Sequence, residues 1–130
     1  MVNIFIISHS EIANSFAYCL EHIMNKRVDN LVILPVKKAE SADNILGRAR
    51  EMLELQLQTA DAVLILSDIF GATPNNIASK LVRPGTVELI TGLNLPMLIR
   101  AVSYSSGSLR DCVEKSLDGG LNGIVHIPGE

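Results

Sequence analysis

From Val2 to Ser8 the chain is almost wholly apolar, and from Ser10 apolar residues return with helical spacing at Ala13, Phe16, Ala17, Leu20 and Ile23 or Met24. That change of period predicts a strand buried on both faces, followed at once by an amphipathic helix. Glu11, Asn14, Ser15, Tyr18, Glu21, His22 and Asn25 fall on the helix's polar side. Leu31 to Leu34 reads as a second strand, ended by Pro35. Ser41 is placed to cap a helix whose inward face is Ile45, Leu46, Ala49, Met52 and Leu53.

Ala62 to Leu66 (AVLIL) predicts a third buried strand, running into the turn-rich text SDIFGATPNN. Thr73 followed by Pro74 suits an N-cap and first helical position, opening a short helix through Ile77 and Leu81. Val87 to Ile90 is a fourth strand, and a helix follows from about Met97. Leu109, Cys112, Val113 and Leu117 define a last helix expected to stop at Gly119-Gly120, and GIVHI reads as a final short strand.

Strands alternating with helices imply right-handed crossovers and a doubly wound, mostly parallel α/β sheet with helices on both faces. In the common order 2-1-3-4, the first and third strands are neighbours and flank the switch point, where such sheets collect ligands beyond the strands' carboxyl ends. His9 stands at the end of the first strand and Asp68 at the end of the third.

A carboxylate that accepts a hydrogen bond from one imidazole nitrogen fixes the tautomer and leaves the other lone pair outward. The ring then serves as a general base or as a nucleophile. Helix N-termini expected at Ser10 and Thr73 would surround it with free N–H groups and an anion-favouring field. Gly71 would let the loop backbone approach a phosphate, and the Ser10 and Thr73 hydroxyls could donate to it. A nucleophilic histidine in an anion cradle suggests phosphoryl transfer.

Length and composition narrow the alternatives. The 130 residues suit one domain, with 48% hydrophobic and 19% charged residues, as in a soluble globular chain. A net charge of −3 with two tyrosines and three phenylalanines speaks against nucleic-acid binding. The short apolar runs and the immediate first strand give no signal peptide and no membrane insertion, so a cytoplasmic location is expected. Cys19 and Cys112 lack metal-like spacing and read as reduced core cysteines; neither metal nor cofactor is expected. His22 reads as solvated and His126 as a packing or interface residue, while Asp29, Asp43, Glu51 and Glu54 look like surface charge.

Walker and GxGxxG loops are absent, as is a GxSxG elbow. A response-regulator receiver would need acidic residues after the first strand, where this chain has Ser8-His9-Ser10. The loop hydroxyls and aromatics of a flavodoxin are thin, and the second histidine of a phosphoglycerate mutase is missing.

The blocks IFIISHS, LSDIFGATPNN and TGLNLPML, in that order and spacing, resemble the mannose-type enzyme IIA of the bacterial phosphoenolpyruvate-dependent sugar phosphotransferase system (PTS). The resemblance covers essentially the whole chain, and the second block, close to D-x-F-G-G-T-P-x-N, is its most specific part. It implies a phosphocarrier in which Nε2 of His9 takes a phosphoryl group from the phosphohistidine of HPr. A IIB component would receive the group and phosphorylate sugar during uptake through membrane IIC and IID partners. Asp68 would hold Nδ1, Thr73 would supply the hydroxyl of the phosphate-facing loop, and Gly71 would be its flexible neighbour.

The resemblance also implies a homodimer in which a C-terminal strand crosses to the partner's sheet, a place that GIVHI would take as an antiparallel edge strand. Ser10 stands where the family usually has glycine, and Ala72 replaces the loop's second glycine, which would strain a left-handed position. Ile69 and Phe70 are candidate docking residues. No linker or fused IIB domain is expected, so the chain could feed a transporter or serve an incomplete system as a regulatory phosphoprotein. The phosphotransfer subunit of dihydroxyacetone kinase has a similar histidine, but its loop departs from DIFGATP.

Overall fold

The computed structural model describes all 130 residues. Four strands form one parallel sheet: β1 (Val2–His9), β2 (Leu31–Val36), β3 (Ala62–Ser67) and β4 (Val87–Thr91), in the order β2-β1-β3-β4. The helices are α1 (Ser10–Met24), α2 (Ala42–Leu57), α3 (Thr73–Ser79), α4 (Leu95–Ser103) and α5 (Leu109–Asn122). The α/β class, the parallel pairing and the 2-1-3-4 order follow the expectation from sequence.

Alternation along β1 explains its unbroken hydrophobicity. Ile4 and Ile6 face a core shared with Ala13 and Leu20 of α1, Leu98 of α4 and Cys112 of α5. Phe5 and Ile7 face the opposite core, shared with Ile45, Ala49 and Leu53 of α2 and Ile77 of α3. These four side chains are fully buried, so between Ile4 and Ile7 neither face has a polar position. No helix is long and apolar enough to cross a membrane.

Several boundaries differ from the sequence reading. Pro35 lies inside β2, opposite Ser8; the strand is an edge, where a residue without an N–H is tolerated. Ala72, not Thr73, is the N-cap of α3, with Thr73 and Pro74 as its first two residues. α4 starts at Leu95, because the Asn94 side chain caps it by accepting from the Met97 N–H at 2.9 Å. The Ser41 cap of α2 is present, its hydroxyl accepting from the Asn44 N–H at 3.2 Å.

Cys19 is exposed rather than buried, because the inward stripe of α1 runs through Ala13, Phe16, Leu20 and Met24 and leaves Cys19 and Ile23 outside it. Cys112 is buried, which pushes its thiol up to about 11 against a partial offset from Ser116.

α5 does not stop at Gly119-Gly120 but continues to Asn122, and Leu117 is exposed. Both glycines are buried where α5 crosses α4. A Cβ on Gly119 would sit 3.0 Å from both the Pro96 carbonyl oxygen and the Arg100 Cβ. They permit close helix approach rather than mark a helix end. Gly119→Ala is expected to cost roughly 1–3 kcal/mol, the range for overpacking a tight contact. Urea denaturation would read this directly, and an unchanged midpoint would show that α4 shifts freely.

GIVHI forms no strand in the single chain. Ile124, Val125 and Ile127 are 73–84% exposed there, and His126 is exposed with them.

Candidate functional site

At the carboxyl ends of β1 and β3, His9 and Asp68 meet. His9 closes β1 and is also the N-cap of α1, with extended φ and ψ of −56° and 146°. The conversion from strand to helix therefore happens at this residue, and its ring is not spent on capping. Nδ1 lies 2.6 Å from Asp68 Oδ2, and the His9 backbone N–H donates to the same oxygen at 3.2 Å. The second carboxylate oxygen accepts from the Ile69 N–H at 3.0 Å.

Asp68 is held on three sides, with its side chain 10% exposed beside a His9 side chain 50% exposed. Burial alone would raise its carboxyl. The hydrogen bonds from the His9 ring and backbone, the His9 charge and a bond from its own backbone outweigh that, leaving it below its ordinary 3.8. An ionised carboxylate only accepts, so Nδ1 carries a proton, and in the neutral ring Nε2 holds the lone pair. The tautomer follows from the contact.

The rest of the expected cradle is arranged more loosely. Ser10 is the first residue of α1, and no side chain caps that helix, which leaves its first-turn N–H groups free beside His9. Gly71 lies in the left-handed region at φ +87°, while Ala72 is extended at φ −79°. The position that demands glycine is filled by one, and Ala72 carries no strain. Gly71 and Thr73 are exposed on the Asp68 loop; neither they nor Ser10 hydrogen-bonds the His9 ring. No group of three or more histidine, cysteine, aspartate or glutamate side chains is placed to hold a metal ion.

Ile69 and Phe70 project from the same loop, 57% and 84% exposed. Sequence reading raised no expectation of a groove of about 280 Å³ along α1, lined by Glu11, Ile12, Ser15, Phe16, Cys19 and Leu95. Its signal was the apolar Ile12 lying off the inward stripe of α1.

The sequence model of the mannose-type IIA family, described as "PTS system fructose IIA component", matches residues 3–117. The chain belongs to this family. A fructose-specific EIIA component of the PTS from Bacillus subtilis (strain 168) is 30% identical over 76 residues, 58% of this chain and 51% of that relative. The match thus spans about half of that relative's length.

Among solved structures, a PTS component EIIA from Streptococcus agalactiae is 26% identical, with a TM-score of 0.82 over 97% of each chain. The mannose/sorbose-specific IIA subunit from Enterococcus faecalis shares the fold at 18% identity, with a TM-score of 0.84 over 98% of this chain and 96% of that one. The IIA family and this sheet topology therefore agree.

Proposed function

We propose that residues 1–130 form one enzyme IIA domain that carries a phosphoryl group on Nε2 of His9, taking it from phosphorylated HPr and passing it to a IIB component. The observation that carries this reading is the 2.6 Å contact between His9 Nδ1 and Asp68. It leaves a half-exposed Nε2 lone pair as the nucleophile at the carboxyl end of the sheet.

In the first transfer the Nε2 lone pair attacks phosphorus as the donor's P–N bond breaks, and the donor imidazole leaves with its electron pair. The His9 ring becomes a cationic phosphoimidazole whose Nδ1–H remains on the Asp68 carboxylate, which offsets the new charge. Free N–H groups of the α1 first turn, the Gly71 backbone and the Ser10 and Thr73 hydroxyls receive the phosphoryl oxygens. The second transfer runs the same step in reverse toward IIB. Neither step needs a metal or a cofactor.

The test is intact-protein mass after incubation with phosphoenolpyruvate, enzyme I and HPr. One acid-labile, alkali-stable phosphoryl adduct that a IIB protein discharges is the expected result. No adduct, with the upstream proteins active, would refute the carrier.

The domain is also proposed to act as a homodimer, with residues 123–127 adding an antiparallel strand to the partner's sheet. Two features support this: the exposed apolar tail, and the outer edge of β4, where only the Arg83–Val87 bridge stands against the strand. Light scattering is expected to give a dimer, and a chain truncated after Asn122 a monomer. A truncated chain that still dimerises would remove the swap.

A further inference from the structure

The loop that carries Asp68 ends in a helix with little to hold it. α3 has seven residues, and its N-cap, Ala72, offers no capping side chain. Two side-chain bonds tie the loop down instead. Asn76 Nδ2 donates to the Gly71 carbonyl at 3.2 Å, which fixes the turn internally. The Thr91 hydroxyl donates to Asn75 Oδ1, and this is the bond that joins α3 to the end of β4.

Their surroundings are unusual for polar groups. Asn75 is 3% exposed, and Ser67, the register partner of Thr91 on β3, is fully buried with no partner for its hydroxyl. The Ser67 carbonyl accepts from the N–H groups of both Gly92 and Leu93, 3.0 Å each, so the β4–α4 turn is anchored at the same point. Burying polar groups costs stability unless each is satisfied, and a wholly apolar set of the same shape would be cheaper in a core. Asp68 is the next residue after Ser67.

We propose that the Thr91–Asn75 hydrogen bond is a brace that sets the β3–α3 loop against the sheet, making Thr91 and Asn75 positioning residues for the Asp68–His9 contact and the phosphoryl cradle. The brace acts through Asp68 and the loop backbone, and touches neither His9 nor the transferred group. It rests on the phosphocarrier reading for its kinetic consequence, though not for its geometric one.

Thr91→Val removes the donor while keeping the branched shape, and Thr91→Ser keeps the donor. Single-turnover transfer from phosphorylated HPr is expected to slow about tenfold in T91V, within the penalty for a small misplacement of a reacting pair, and to stay near wild type in T91S. The ¹⁵N and proton signals of the His9 Nδ1–H should weaken in T91V and persist in T91S.

Asn75→Ala removes the acceptor, so it tests the same bond should T91V not fold. The double variant T91V/N75A should be no slower than the slower single variant. An unchanged rate in T91V, equal damage in T91S, or losses that multiply in the double variant would each overturn the brace. If the wild type takes no phosphoryl group, the carrier reading falls, and the Nδ1–H signals alone decide. Loss in T91V with recovery in T91S upholds the brace, and no change refutes it.

Discussion

Replacing His9 by alanine is expected to abolish the phosphoryl adduct, with transfer falling about 10⁴-fold or more, the scale of removing a sole nucleophile. The expectation rests on there being no substitute. Of the two other histidines, His22 lies on the exposed face of α1 with its ring stacked on Tyr18, and His126 lies in the exposed tail. Cys112 is buried with its thiol raised to about 11, and Cys19 lies in the α1 groove, ten residues beyond His9. The substitution should leave the fold intact, because the His9 ring is half-exposed and caps nothing on α1. Intact mass after the phosphoenolpyruvate, enzyme I and HPr reaction measures the first part, and circular dichroism the second. A full adduct on the alanine variant would place the carrier chemistry elsewhere on the chain.

How much of this was legible in the sequence follows from where the information is local. The change of hydrophobic period at Ser8-His9-Ser10 marks a strand becoming a helix, and a buried parallel strand has no other way to read. The position of Asp68 beside His9 followed once the alternating elements were given the common 2-1-3-4 order. What failed depended on contacts between distant parts of the chain. Gly119-Gly120 looked like a helix stop, but its meaning lies in the approach of α4. Thr73-Pro74 looked like a cap and first position, but the chain turns one residue earlier, because Gly71 takes the left-handed conformation and Ala72 becomes the N-cap. Cys19 looked apolar and therefore inward, though it stands about 100° around α1 from the neighbouring core residue Leu20.

The Asn75–Thr91 pairing could not be read at all. Each residue is ordinary alone, and only the packing of α3 over the end of β4 brings them together. Family resemblance worked differently: it tied the motif blocks to a chemistry, while the tautomer of His9 came from the contact itself.

Asp68→Asn is expected to slow transfer by roughly 10²–10⁴-fold, the range for losing a tautomer-setting carboxylate or a positioned proton acceptor. The carboxylate accepts three hydrogen bonds: from the His9 ring and the His9 backbone on one oxygen, and from the Ile69 N–H on the other. Asparagine keeps one acceptor and puts an NH₂ group in place of the other. With the NH₂ toward His9, Nδ1 must accept, the ring proton moves to Nε2, and the nucleophilic lone pair is gone. With the NH₂ toward Ile69, one loop N–H loses its partner and the phosphorylated ring loses the charge that stabilised it. Either orientation slows the step, and the imidazole ¹⁵N shifts tell them apart.

A second readout comes from linkage. The Asp68 carboxyl is held below 3.8 in the folded chain, so its contacts contribute stability that is fully present above that value. The contribution is lost as pH falls through the lower folded value, because protonation then competes with the His9 contact. The asparagine variant has no such group, so its acid unfolding curve should lack this component and run closer to flat below the ordinary carboxylate range. Wild-type transfer rates in D68N, with unchanged imidazole shifts, would show that the 2.6 Å contact neither sets the tautomer nor supports the charge, and the nucleophile would then need another source of activation.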